Sequence, residues 1–245
     1  MGNRDMENEL TRLEMMIGND NVKTLKDSKV IIFGVGGVGG YVVEALARCG
    51  VGTLALVDND VVSISNINRQ IIALHSTIGK DKVQVIKERV LDINPNCNVQ
   101  TIKTFVNKQT IEQFNLSDYD YVVDAIDFLE GKLEIIKSAQ KSGAKVISSM
   151  GTGNKINPSA LRIDNISKTK ICPLAKKLRK MCKNEGILPF KVLFSIENPI
   201  SPQFFLTEKR TPCSCSFVPS VAGLMIAGEI VRELTNFFGE GINNS

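Results

Sequence analysis

Six residues, Gly34-Val35-Gly36-Gly37-Val38-Gly39, form a G-x-G-x-x-G run directly after the apolar stretch KVIIF at 29–33. Glycines let the backbone come close to a phosphate, and the free N–H groups of a starting helix face it. Asp58 closes the next apolar run, TLALVD, 24 residues after Gly34, where a carboxylate can accept hydrogen bonds from ribose hydroxyls. Gly34, Gly36, Gly37, Gly39 and Asp58 therefore predict a nucleotide site. A glycine turn used only for tight packing is the plainer alternative, and the strand, helix and acid in this order weigh against it. The fingerprint alone fits a dinucleotide as well as ATP.

A polar stretch separates the two. After Asp58 come Asn59-Asp60, then Ser65-Asn66-Ile67-Asn68-Arg69-Gln70, then Gly79-Lys80-Asp81-Lys82, and later Asp124-Ala125-Ile126-Asp127. The order and spacing of these motifs resemble the ubiquitin-activating-enzyme-like superfamily (ThiF, MoeB and HesA), and the resemblance runs from Arg12 to the last apolar helix. It implies an ATP-using enzyme that activates a carboxylate by adenylation. The physics agrees, because attack of a carboxylate on an α-phosphate brings two anions together. One unit charge pair at about 4 Å is worth about 4 kcal/mol at an effective dielectric near 20, so fixed cations are needed where charge accumulates.

By that resemblance, Arg69 and Lys82 contact the triphosphate, Asn66 and Gln70 help orient it, and Asp58, with Asp60 two residues on, closes the nucleotide set. Asp127 holds a magnesium ion that arrives with ATP. Arg12, in T-R-L-E-M-M-I-G, matches an arginine that crosses a homodimer interface to the partner's ATP. Taken singly, each of these side chains would read as a surface charge; taken together in this order they read as a catalytic set. Sulfur-carrier activators of the family usually carry two C-x-x-C pairs for zinc. The six cysteines here, at 49, 97, 172, 182, 213 and 215, make no such pair, so zinc is not expected.

The finer match is to the branch of tRNA threonylcarbamoyladenosine dehydratases, on T-R-L-E-M-M-I-G, F-G-V-G-G-V-G-G-Y-V-V-E-A-L-A-R-C-G, N-I-N-R-Q-I-I-A-L and S-F-V-P-S-V-A-G-L. Cys172 and Gly40 depart from that branch, where Asp and a serine are common. The resemblance implies ATP-dependent cyclisation of the modified base through an adenylated threonyl carboxylate. It leaves room for a bound alkali cation held by backbone oxygens and for accessory sulfur-transfer proteins. Adenylation of a sulfur-carrier protein's C-terminus, a nicotinamide dehydrogenase and a non-enzymatic nucleotide sensor are the competing readings. An RNA partner also suits Lys168, Lys170, Lys176, Lys177, Arg179, Lys180 and Lys183, which fall in sixteen residues without an acid. Lys176, Arg179, Lys180 and Lys183 would share one helical face. Cys213 is set aside as a nucleophile, because ring closure within one molecule needs none. His75 reads as packing or loop capping.

Elements that would position these residues can be read from hydrophobic period and punctuation. Helices are expected over 5–17, 38–49, 79–94, 130–142, 173–184 and 218–237, and strands over 29–33, 53–58, 98–103, 120–124, 144–150, 159–165 and 191–196. Strand–helix alternation predicts a Rossmann-like, doubly wound α/β fold with a mainly parallel sheet, extended by antiparallel strands in the C-terminal half. The whole of 1–245 reads as one adenylating domain. It divides into an N-terminal helical arm (1–28), a nucleotide-binding core (29–150), and a last part (151–245) with sheet extension, basic helix, mobile loop (197–215) and closing helix. With 43% hydrophobic residues and a net charge of +4, the chain has ample apolar surface for a core. Its longest apolar runs are short and its N-terminus is polar, so no membrane span and a cytoplasmic location are expected.

Overall fold

A computed structural model of the chain describes residues 7–204 and 212–238. The start of the expected first helix, residues 205–211 of the expected loop, and the last seven residues lie outside them. The order is α1 (Thr11–Ile17), α2 (Asn19–Asp27), β1 (Lys29–Phe33), α3 (Gly39–Arg48), β2 (Thr53–Val57), α4 (Lys82–Ile93), β3 (Asn98–Ile102), β4 (Tyr121–Asp124), α5 (Leu129–Ser142), β5 (Lys145–Ser149), β6 (Leu161–Asn165), α6 (Pro173–Asn184), β7 (Lys191–Ser195) and α7 (Phe217–Thr235). Short 3-10 turns fill several connections, including Ile64–Asn66 between β2 and α4.

The seven strands form one sheet in the order β3-β2-β1-β4-β5-β7-β6. All neighbours run parallel except β6, which runs antiparallel to β7 at the edge. The extension beyond β5 thus mixes one parallel strand, β7, with one antiparallel strand, β6. Side chains alternate across the central strands. Val30 and Ile32 of β1 join a core with α2, α3, α4 and α7, whereas Ile31 and Phe33 face a second core with α5. Both faces are covered, which is why KVIIF reads as an unbroken apolar run. A third cluster packs α5 and α6 against β7 through Ile136, Leu178 and Val192.

α2 falls inside the expected helical arm (1–28), within which the spacing predicts only the one helix to residue 17. Its nine residues carry only two buried apolar side chains, Val22 and Leu25, spaced for one turn of helix. Gly18, at φ +86°, closes α1 and opens α2, so the expected single helix to residue 17 becomes a pair. The strand order reverses at β1, whose neighbours β2 and β4 leave a crevice at their carboxyl ends. Open α/β sheets bind ligands at such a crevice. No helix among the described residues is long and apolar enough to cross a membrane.

Candidate active site

The crevice is a cavity of about 630 Å³. Its first wall is the glycine turn between β1 and α3. Gly34 sits at φ +86°, a conformation side chains rarely adopt, and its N–H donates to the Val57 carbonyl at 2.7 Å. A Cβ on Gly39 would fall 1.8 Å from the Gly34 carbonyl oxygen, so the turn can close on itself only with glycine there. Gly34, Gly36 and Gly37 line the cavity; Gly39 lies behind them and closes the turn.

Asp58, just past β2, holds this turn in place. One carboxylate oxygen accepts from the Val35 N–H at 2.8 Å and the other from the Asp60 N–H at 2.9 Å. The remaining lone pairs of Asp58 are available to a ligand. Lys82, the first residue of α4, is only 5% exposed and pairs with Asp60 at 2.7 Å. Its ammonium is thereby aimed at the cavity it lines.

The 3-10 turn Ile64–Asn66 aims the next group. Asn66 Oδ1 accepts the Ser63 N–H at 3.0 Å, and the Arg69 and Gln70 N–H groups donate to the Asn66 carbonyl. Arg69 donates from Nη1 to the Ser65 carbonyl at 3.0 Å and to Asn68 Oδ1 at 2.9 Å, leaving other guanidinium donors for a ligand. Its stem lies over the glycine turn, because a Cβ on Gly37 would touch Arg69 Cγ and Pro219 Cβ at 3.4 Å. Gln70 is 6% exposed, lines the cavity, and its Oε1 finds no hydrogen-bond partner among the described residues. A buried polar atom without a partner costs free energy, so an orphan in a cavity wall points to a ligand there.

Asp127 lines the opposite side with Phe105 and Phe128, half-exposed aromatics whose ring centroids are 5.1 Å apart. Beyond them the wall runs along Ser149–Gly153, Leu174 and Pro212–Ser214. Among the described residues no group of three or more His, Cys, Asp or Glu side chains is placed to hold a metal. Asp127 is exposed at the cavity as a single carboxylate, which suits a magnesium ion that takes its other ligands from phosphate and water.

Not every expected residue arrives at this cavity. Arg12 is exposed on α1, outside its own chain's cavity, beside Met15 at 83% and Met16 at 67% exposure. On α6, Lys176, Lys180 and Lys183 are exposed, but Arg179 leaves their row. Its Nη1 donates to the Thr169 carbonyl at 2.6 Å and to the Thr169 hydroxyl, both buried, so its charge serves the fold. His75 is exposed and outside the cavity. Cys213 is exposed on the cavity wall. Burial pushes the thiols of Cys97 and Cys182 up to about 11, away from thiolate chemistry.

The cavity residues Phe105, Phe128 and Thr152 carry no motif signal, and neither does the buried Lys132 beneath the wall. The family model of the ThiF family matches residues 10–245. The chain belongs to the ThiF family. A ThiF-family relative from Bacillus subtilis (strain 168), a tRNA threonylcarbamoyladenosine dehydratase, is 43% identical over 242 residues, which is 94% of this chain and 95% of the relative. Its counterpart from Escherichia coli (strain K12) is 34% identical over 77% of this chain and 73% of its own. The structure of E. coli tRNA N6-threonylcarbamoyladenosine dehydratase, TcdA, in complex with ATP matches this ThiF-family chain with a TM-score of 0.86 at 29% identity. The match covers 93% of this chain and 94% of that one.

Removing Arg179 should be felt in stability. Arg179→Ala is expected to lower the unfolding free energy by about 1.5–3 kcal/mol, the scale of hydrogen bonds to a charged donor. An unchanged denaturation midpoint would show that Thr169 is held by other contacts.

Proposed function

We propose that this chain is an ATP-dependent tRNA threonylcarbamoyladenosine dehydratase that adenylates the threonyl carboxylate and lets the modified base close into a ring. The observation that carries this reading is one cavity holding the glycine turn, Arg69, Lys82 and Gln70, whose buried Oε1 has no partner among the described residues. The near full-length likeness to dehydratases narrows the substrate. A tRNA substrate would place the protein in the cytoplasm.

ATP would lie across the glycine turn, with its ribose hydroxyls donating to Asp58 and its adenine beside Phe105 and Phe128. Turn amides, Lys82 and Arg69 would surround the phosphates, and Asn66 and Gln70 would fix their orientation. When bound, magnesium neutralises phosphate oxygens, and Asp127 would be its protein ligand. The threonyl carboxylate attacks the α-phosphorus and pyrophosphate leaves. The carbamoyl group of the same side chain then attacks the activated carbonyl and AMP leaves, carrying the oxygen that makes the net change loss of one water. The ring closes within one molecule, so effective molarity is high without a protein nucleophile.

The wall at Ser149–Gly153, Leu174 and Pro212–Ser214 would take the threonylcarbamoyl group. Leu174 is the second residue of α6, and at 1.5 Å per residue Lys183 stands about 14 Å further along the axis. Lys176, Lys180 and Lys183 would thus meet tRNA phosphates next to the modified base. Arg12 would serve the partner's cavity in a homodimer, and the exposed Met15 and Met16 beside it suit an apolar contact. Cys213 on the cavity wall is the one observation favouring the alternative, adenylation of a sulfur-carrier protein.

Incubation with ATP, magnesium and modified tRNA, followed by nucleoside mass analysis, should show the base lighter by one water, and Arg69→Ala should abolish this and ATP–pyrophosphate exchange. Conversion of a carrier protein with untouched tRNA would favour the alternative. Neither Arg12→Ala nor Arg69→Ala alone should turn over, whereas the two mixed should regain part of the activity through hybrid dimers; no recovery would remove the role in trans. Changing Lys176, Lys180 and Lys183 together to Glu should weaken tRNA binding and flatten its dependence on salt, and an unaltered slope would leave these lysines merely solvated.

A further inference from the structure

Lys132 and Asp124 are both fully buried and form an ion pair beneath the cavity wall. The ammonium reaches Asp124 Oδ1 at 3.1 Å and Oδ2 at 3.0 Å, the Ser149 carbonyl at 2.8 Å and Ser148 Oγ at 3.4 Å. The carboxylate in turn accepts from the Ser148 hydroxyl and, at 3.3 Å, from the Ile126 N–H. Such a pair is weak evidence for stability, because hydrophobic replacements of similar volume are often neutral or better. Its placement says more than its energy.

Three elements meet at this ammonium. Asp124 ends β4, Ser148 and Ser149 end β5, and Lys132 lies in the first turn of α5. The chain leaving β4 supplies Ala125–Phe128 to the cavity, and the chain leaving β5 supplies Met150–Gly153. One side chain therefore holds the roots of both segments. The first turn of α5 also presses on the β4 segment. A Cβ on Gly131 would fall 2.7 Å from Ile126 Cδ1, 2.7 Å from the Val106 carbonyl oxygen and 3.2 Å from Phe128 Cδ1. Val106, Ile126 and Phe128 all line the cavity, so a shift of this turn moves its wall. The pair is neutral as a unit and adds no net charge to the site, which distinguishes it from Arg69 and Lys82.

We infer that Lys132 is a positioning residue: through Asp124 and Ser149 it sets the Asp127 segment and the Gly151–Gly153 wall against each other for the adenylation step. This rests on the function proposed above. Apolar side chains could fill the same volume, but they could not tie two strand ends to one helix by directed bonds.

The test replaces Asp124→Asn and Lys132→Met together, keeping volume and leaving no lone buried charge. The folded double variant should still bind ATP in EDTA, with a loss far smaller than that in kcat, because the glycine turn that would hold the phosphates is untouched and only the adenine side at Phe128 loosens. Its kcat should fall roughly tenfold to a hundredfold with little change in KM, the scale of an ångström-level misplacement. Hydrogen exchange should quicken in 125–131 and 149–153 and stay unchanged in 34–42. Wild-type kcat and exchange in the folded variant would overturn the inference, as would loss of ATP binding in EDTA in step with kcat. Should the double variant not fold, Ser148→Ala, which removes a single donor to Asp124, must show the same exchange pattern and a smaller fall in kcat; wild-type values in both would likewise overturn it. A wild-type protein inert toward modified tRNA would sink the functional reading alone, since exchange and ATP binding would still judge Lys132.

Discussion

A carboxylate must come within bonding distance of a phosphorus already ringed by negative oxygens, and the architecture answers that repulsion in layers. The innermost layer is backbone. With Gly34 at positive φ and Gly39 packed on the Gly34 carbonyl, the turn offers amide groups where no side chain could fit. Charge is added around it from outside the turn: Lys82 at the start of α4 and Arg69 after the 3-10 turn Ile64–Asn66. Both reach the carboxyl ends of β1 and β2, because that is where a parallel sheet whose order reverses at β1 opens a crevice.

Those cations are held before any ligand arrives. Lys82 rests on Asp60, Arg69 on the Ser65 carbonyl and Asn68, and Asp58 splints the glycine turn through Val35. Dipoles and charges fixed in advance need no reorganisation at the moment of reaction. Beside them Gln70 keeps a buried Oε1 that is unpartnered among the described residues. Where sequence-level consistency fails in a folded chain, a functional surface is the usual reason.

The central sheet was legible because its strands are unbroken apolar runs punctuated by glycine and aspartate. The glycine turn that closes β1 was legible for the same reason. Topology at the far edge was legible only in part: an antiparallel extension was expected, but nothing in residues 161–165 or 191–195 says that β7 inserts beside β5 in parallel while β6 runs back along it. Within the helical arm the bounds of α2 were not legible, because a helix resting on two buried side chains leaves almost no periodic signal. Arg179 misled because spacing alone gives it the face of Lys176 and Lys180, and its partner Thr169 lies ten residues back in a 3-10 connection. Lys132 was invisible for a deeper reason. Lysine is almost never fully buried unless paired, and its pairing depends on β4 and β5 lying side by side, a long-range fact.

The cavity's second half uses backbone in a different way. Asn154, a non-glycine residue at φ +57°, donates its N–H to the Cys213 carbonyl and accepts the Cys213 N–H on Oδ1, both at 2.7 Å. Its own carbonyl accepts the Ile200 N–H at 2.8 Å, and Asn68, next to Arg69, donates to the Ser214 carbonyl at 3.0 Å. One asparagine thus clasps the Cys213 segment of the cavity wall, and another ties that segment to the arginine motif. Backbone strain of this kind persists only where the surroundings over-determine it. Here it holds the Cys213 segment against the rest of the cavity wall; under the proposed function a substrate bound there would have its carboxylate presented to a nucleotide rather than searching for it. For a ring closure whose nucleophile and electrophile belong to one side chain, that placement is most of what a protein has to supply.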